Sequence, residues 1–226
     1  MGDGMMKHNR VVIESGDKKV FASALDWPGW SRSGKTEAQA LDALAAYADR
    51  YEKVAALSGV PGVMAATQDF SVIEHQAGDG ATDFGVPAHV AAAEHEPMTD
   101  AECDRQVALL RACWAYFDEV VPRVSEVLQK GPRGGGRDRT RIVEHTLEAE
   151  RSYARQIGVR TPKGGMSSPQ GLQDHRDAVC EAIRKVNASD DREKGWPVRY
   201  FIRRAAWHVL DHAWEMEDKD LSGEHA

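Results

Sequence analysis

The spacing of hydrophobic and polar residues near the N-terminus is that of short strands followed by a helix. Two runs rich in β-branched and aromatic residues, over residues 11–14 and 19–25, flank a Gly-Asp turn signal and predict a β-hairpin. Strong helix formers follow Thr36, an expected N-cap, and predict a helix that ends near residues 59–62. A further strand is expected over residues 69–74. This part of the chain therefore predicts a small antiparallel sheet with one helix.

The later part of the chain places apolar residues at steps of three and four, which is typical of amphipathic helices. Pro122 should kink or break the first of these helices, and Gly158 should end the second. The four predicted helices span residues 99–129, 138–157, 168–187 and 197–219.

These patterns divide the chain into three predicted segments. Residues 1–75 form an α+β domain, and residues 98–220 form an all-α up-down four-helix bundle. Residues 76–97 are rich in glycine, alanine and proline and form a connector.

Composition narrows the class of protein. The chain has 226 residues, of which 42% are hydrophobic and 29% are charged, as in globular proteins that bury a core. A net charge of −7 argues against a general nucleic-acid binder, and no stretch approaches the roughly 18 apolar residues of a membrane span. Three cysteines without C-x-x-C spacing favour buried thiols in a reducing cytoplasm. We therefore expect a cytoplasmic protein with no nucleic-acid or membrane partner.

Residues 29–36, GWSRSGKT, match the phosphate-binding-loop pattern G-x-x-x-x-G-K-[ST]. A working loop of this kind also needs a later strand that ends in a magnesium-binding Asp, and the pattern predicts none. Trp30 and Arg32 place bulk where backbone amides would close around phosphate. We favour a structural interpretation, in which Gly34 makes a turn and Thr36 caps the helix. Nucleotide binding stays as the lesser alternative.

The same run resembles the HicB-like domain, in which a strand and an L-P-G turn precede a G-x-T-x-x-E-A-L helix start. The matching positions are Leu25, Pro28, Gly29, Gly34, Thr36, Ala40 and Leu41. Gln39 stands where the family usually has Glu. The resemblance covers residues 10–75 and implies a partner-binding, dimerisation or scaffold module. Family members are often antitoxins with a separate DNA-binding segment, and the sequence offers no such segment.

Two histidines lie four positions apart on the last predicted helix. At about 100° per residue, His208 and His212 share one stripe with apolar residues. The apolar members of that stripe are Val198, Phe201, Ile202, Ala205, Val209 and Met216. An unpaired buried polar ring costs about 1–3 kcal/mol, so these histidines need partners. A borderline metal such as zinc or nickel would satisfy both, and the alternative partners are Asp side chains, Tyr side chains or the other histidine of the pair.

Further ligands are available on two other predicted helices. His145 lies beside the inner stripe of the second helix, and His175 flanks that of the third. Three histidines from two helices would leave a coordination position open to water or substrate, as in catalytic metal sites. Whether His175 or a carboxylate adds a fourth ligand stays open.

The helical half resembles the DinB-like superfamily, which includes thiol-dependent transferases and the mycothiol-dependent maleylpyruvate isomerase type. Those proteins are four-helix bundles with a histidine on the second helix and H-x-x-x-H on the last. The matching positions here are His145, His208 and His212. The resemblance covers residues 98–220 and implies a divalent metal at one end of the bundle. It also implies a small-molecule substrate, a low-molecular-weight thiol and homodimers.

Several side chains near the triad are candidates for supporting roles. Possible hydrogen-bond partners of the rings are Glu144, Glu148, Asp211 and Glu215, of which Asp211 lies away from the inner stripe. Arg203 and Arg204 are candidates for an anionic substrate or for contacts between domains. A second, aromatic stripe of the last predicted helix comprises Tyr200, Trp207 and Trp214. We expect the N-terminal domain or a second subunit to pack against it.

Two functional interpretations follow. The first is a metal-binding DinB-like protein that acts as a metal-assisted, thiol-dependent transferase, isomerase or hydrolase on a small molecule. The second is a non-enzymatic interaction or antitoxin-related module, with a structural metal or none. Catalytic residues stay unassigned, since the sequence offers no Ser-His-Asp arrangement and no clear general base. The fourth coordination position of the metal distinguishes the two interpretations. An open position favours an enzyme, and a position closed by a protein ligand favours a structural site.

Overall fold

A computed structural model describes residues 9–60, 69–132, 135–189 and 195–225. Parts of two predictions lie outside these residues, namely the first eight positions of the N-terminal domain and Pro61-Gly62 at the predicted helix end.

Four strands form one mixed sheet in the order β3-β2-β1-β4. They are β1 (Asn9–Ser15), β2 (Val20–Ala24), β3 (Ser31–Gly34) and β4 (Phe70–Ala77). The predicted hairpin is confirmed, because β1 and β2 pair antiparallel, as do β2 and β3. The prediction of a purely antiparallel sheet is wrong, because β4 lies parallel to β1. Among the residues described between β3 and β4, two helices intervene, and such a crossover allows the chain to return in the same direction.

The single predicted helix after Thr36 is two helices, α1 (Glu37–Ala46) and α2 (Ala48–Ser58). The predicted cap is confirmed, since the Thr36 hydroxyl accepts a hydrogen bond from the Gln39 amide. Tyr47 leaves helical geometry between the helices, and its ring packs edge-on against Trp214 at 5.1 Å. A contact with the far end of the chain thus accompanies the break. Gly59, with φ of +69°, ends α2.

The predicted connector carries more structure than its composition suggested. Asp79 caps the N-terminus of helix α3 (Gly80–Phe84), because its side chain accepts a hydrogen bond from the Ala81 backbone amide, and a 3-10 turn spans Ala92–His95. The buried carboxylate of Glu14 on β1 accepts hydrogen bonds from this segment. The short helix was missed because five residues are too few to display a helical period.

Four long helices make up the rest of the chain. They are α4 (Asp100–Val120), α5 (Arg139–Ala154), α6 (Pro169–Asn187) and α7 (Val198–Asp218). The predicted break near Pro122 is confirmed, and α4 ends at Val120 instead of reaching residue 129. A short 3-10 turn extends α5 to Gly158, which has positive φ as a helix-terminating glycine does.

Helix α7 is the central element of the fold. It contacts α4, α5 and α6, and most of its side chains are buried. Trp207 packs edge-on against Phe21 of β2 at 6.3 Å between ring centroids. The N-terminal part of the chain therefore covers the second aromatic stripe, as predicted. One hydrophobic core runs from the sheet to the helices, and the domain division at residues 76–97 stays a prediction. Within the described ranges, every helix is too short or too polar to cross a lipid bilayer.

Candidate metal centre

The three histidines singled out by the sequence converge in space. His145 comes from α5, and His208 and His212 come from successive turns of α7. Their potential ligand nitrogens all lie within 4.8 Å of one another. Among the described residues, this triad is the one group of three or more His, Cys, Asp or Glu side chains that lie close enough together to share a metal ion. The predicted metal ligands are therefore brought together, and they could hold a metal ion.

The closest pair of nitrogens has a separation that suits a tetrahedral metal. The Nε2 atoms of His145 and His208 lie 3.3 Å apart. Two nitrogens that are each about 2.0–2.1 Å from a tetrahedral zinc are separated by about 3.3–3.4 Å. The centroids of the three rings lie 4.6–5.1 Å apart, and the His212 ligand nitrogen lies within 4.8 Å of the other two. The donor set thus fits a borderline divalent metal.

Glu215 fixes the tautomer of His212. Its carboxylate lies 2.8 Å from His212 Nδ1 and also accepts a hydrogen bond from Lys219 Nζ. An ionised carboxylate only accepts hydrogen bonds, so Nδ1 carries the proton and Nε2 keeps a lone pair for a metal. The hydrogen bond from His212, aided by Lys219, lowers the pKa of Glu215 to about 2. Glu215 therefore stays ionised at neutral pH.

The environment keeps the other two rings neutral. Burial, together with the charges of nearby His212, Arg204 and His145, lowers the pKa of His208 to about 2. Burial also lowers the pKa of His145, with a contribution from the charge of Arg137. A neutral imidazole is the form that coordinates a metal, so these ligands need not lose a proton at neutral pH.

The other predicted supporting residues have different partners. His175 shares a 2.7 Å hydrogen bond with Thr161 and lies outside the triad. The exposed carboxylates of Glu144 and Glu148 pair with arginines one turn away on α5. Asp211 pairs with Arg32 of β3 at 3.1 Å, in agreement with its position away from the inner stripe. Of the four candidate carboxylates, Glu215 is the one that contacts a triad histidine.

An open cleft of about 1340 Å³, including space that is continuous with solvent, lies against the triad. Tyr153 of α5 packs its ring 5.7 Å from that of His208, and Trp207 forms part of the wall. The sequence analysis missed Phe84 as a cleft residue. It lies at the end of α3, is 86% exposed, and had no pattern that tied it to the histidines.

Arg32, another cleft residue, was assigned to the phosphate-loop-like run. Residues 31–34 of that run form edge strand β3 and pair with β2, so their backbone does not close into a phosphate-binding loop. Gly34 is explained by packing, because a Cβ there would lie 2.6 Å from the backbone of α1. Trp30 is fully buried and donates a hydrogen bond to the Leu44 carbonyl.

A scan against protein-family models, a search of curated proteins and a search of solved structures each found no match to this chain. The HicB-like and DinB-like resemblances therefore rest on the residues quoted for them and remain predictions.

Proposed function

We propose that this protein binds a divalent metal, zinc or nickel, through His145, His208 and His212. The observation that carries the proposal is the 3.3 Å separation of the two Nε2 atoms, with His212 oriented beside them by Glu215. An N–H···N hydrogen bond alone would leave His212 Nε2 without a role. A bound metal would use all three lone pairs.

We propose further that the metal acts in a thiol-dependent transferase, isomerase or hydrolase reaction on a small molecule. Three protein ligands leave a tetrahedral metal one open position, and the cleft provides room for a substrate beside it. When bound, the metal would lower the pKa of a coordinated thiol or water and so supply a nucleophile at neutral pH. Glu215 holds His212 in place, while the rings of Tyr153 and Trp207 line one wall of the cleft.

The proposal includes the up-down four-helix bundle of DinB-like proteins and a HicB-like N-terminal module. Its support is the order and length of α4–α7 and the contacts of α7 with the other three helices. A cytoplasmic location fits three buried cysteines that are free of disulfide bonds. A homodimer is implied by the resemblance alone.

Cobalt(II) loading tests whether the site is open to a thiol. Co²⁺ has visible bands that report its coordination geometry, and a thiolate ligand adds a sulfur-to-cobalt charge-transfer band. We expect 2-mercaptoethanol to produce that band in the cobalt-loaded protein. His208→Ala serves as the control and should show neither set of bands.

A cobalt spectrum that thiol leaves unchanged would favour the alternative function, a non-enzymatic interaction or antitoxin-related module with a structural metal. The absence of any protein-bound cobalt spectrum in the wild type would contradict the metal site itself.

A further inference from the structure

Two neighbouring arginines of α7 have different surroundings. Arg203 donates two hydrogen bonds to the buried carboxylate of Glu94, at 2.6 and 2.9 Å, and one to the His89 carbonyl. Arg204 is 8% exposed, and within the described ranges it has neither an acidic partner nor a hydrogen-bond acceptor. Its Nη1 atom is enclosed without a partner. A buried, unpaired cation is costly, which indicates that Arg204 is kept for something other than folding.

Arg204 lies in the same cleft as the histidines. It precedes His208 by four residues, which places it one turn, about 6 Å, away along the same face of α7. Its guanidinium lies 5.3 Å from the ring centroid of Tyr153 and 4.7 Å from that of Trp207. These rings attract and position the cation but offer no acceptor for its N–H groups. The buried Nε1 of Trp207 also lacks a partner, so two unpaired donors lie together.

The acidic residues of the cleft are already engaged elsewhere. Asp211 pairs with Arg32, and Asp218 pairs with Arg50 at 2.8 Å. Glu215 accepts hydrogen bonds from its own neighbours on α7. The cleft therefore contains a fixed, planar, uncompensated guanidinium next to the candidate metal ligands.

We propose that Arg204 binds the carboxylate of a small organic acid and holds the rest of that molecule over the histidines. This inference rests on the proposed function, because it names the substrate class of the same site. A guanidinium suits a carboxylate, to which it can donate two parallel hydrogen bonds. The buried, unpaired guanidinium carries one positive charge, which matches the single negative charge of a carboxylate. Tyr153, Trp207 and the exposed Phe84 would contact an apolar body of the ligand.

Calorimetric titration of the zinc-loaded protein with sodium benzoate tests this assignment. Benzamide, which has the same shape without the charge, is the ligand control. Arg204→Met keeps the size of the side chain and removes its donors, whereas Arg204→Lys keeps the charge and removes the planar fork. Arg137→Met removes the charge of an exposed arginine that lines the same cleft and is the matched protein control. Zinc content and circular dichroism are recorded for every protein.

We expect Arg204→Met to weaken benzoate binding by on the order of tenfold or more, with zinc content unchanged. The benzoate affinity of Arg204→Lys should lie between those of Arg204→Met and the wild type, and that of Arg137→Met should equal the wild-type value. The wild type should bind benzamide no more tightly than Arg204→Met binds benzoate. Equal benzoate affinity in the wild type and Arg204→Met, or an equal loss in Arg137→Met, would overturn the assignment while leaving the metal site intact. If the wild type retains no zinc, the proposed function fails, and the same titration on that protein still decides whether Arg204 binds the carboxylate.

Discussion

His145 and His208 are 63 positions apart in the sequence, and their Nε2 atoms lie 3.3 Å apart between α5 and α7. This distance depends on how two helices pack, and it places two neutral imidazoles at the separation of two ligands on one metal ion. We therefore expect a divalent metal to bind between these two helices.

Glu215 should strengthen metal binding through His212, because its carboxylate accepts a hydrogen bond from His212 Nδ1–H. Loss of such an outer partner typically costs about 10–100-fold in metal affinity. We expect Glu215→Gln to weaken zinc binding within this range, as measured by competition with a fluorescent chelator. Glu148→Gln, which alters an exposed glutamate that pairs with Arg151, should bind zinc like the wild type. Equal affinities for all three proteins would show that the tautomer of His212 is set in another way.

Gly29 should be essential for docking the N-terminal part of the chain on α7. It has φ of +93°, and a Cβ there would lie 2.7 Å from Leu210 Cδ1 and 3.1 Å from the backbone of Ala206. Gly59 has φ of +69° and open space around it, so Gly59→Ala is a control for the backbone conformation alone. Urea denaturation should show a cost of roughly 1–2 kcal/mol for Gly59→Ala and an additional 1–3 kcal/mol for Gly29→Ala. Similar values for the two variants would contradict this close contact.

The metal-free protein should lose stability in mild acid because of His208. Burial lowers its pKa to about 2 in the folded state, whereas an unfolded histidine has a pKa of about 6.5. Between these values the unfolded state binds more protons, so the free energy of unfolding falls as the pH falls. One proton contributes at most about 1.4 kcal/mol per pH unit.

His208→Gln removes this contribution. The stability of the wild type relative to the variant should therefore shrink by roughly 1–2 kcal/mol between pH 7.5 and pH 5. Urea titrations of both proteins at the two pH values measure it. Glu215 does not interfere, since its lowered pKa acts only below the ordinary glutamate pKa of about 4.3. If the difference in free energy of unfolding between the two proteins does not change with pH, the His208 ring is not buried in its neutral form.

Magnesium-ATP should not stabilise the protein, because residues 31–34 form a strand and their backbone pairs with β2. A ligand present at 100 times its Kd would add about 2.7 kcal/mol, or roughly 5–10 °C in Tm for a chain of this length. We expect no shift in thermal denaturation, while zinc added to chelator-treated protein should raise the Tm in the same assay. An ATP-dependent rise that Lys35→Ala abolishes would restore the nucleotide-binding interpretation.

Local patterns in the sequence were sufficient for the hairpin, the N-cap at Thr36 and the four long helices. Each of these depends on residues within a few positions of one another. The strand Ser31–Gly34 was missed because four residues that include a glycine show no useful alternation. The parallel direction of β4 and the break at Tyr47 depend on contacts between distant parts of the chain.

In the candidate site, too, some features follow from local sequence and others depend on contacts between distant residues. The i, i+4 spacing of His208 and His212 places both on one face of α7, and this follows from helix geometry alone. His175 was also a candidate ligand in the sequence. The packing of the helices places it outside the triad, where it shares a hydrogen bond with Thr161. The pairing of Arg32 with Asp211 spans 179 positions and could not be predicted from spacing.

Metal analysis of the purified protein is the most direct test of metal binding by the three histidines. Wild type, His208→Ala and His75→Ala, which removes an exposed histidine, are equilibrated with zinc, passed through a desalting column and measured by mass spectrometry. We expect about one zinc ion per chain in the wild type and in His75→Ala, and little zinc in His208→Ala. Equal and negligible zinc in all three folded proteins, with the same result for nickel, would show that the three histidines do not bind a metal.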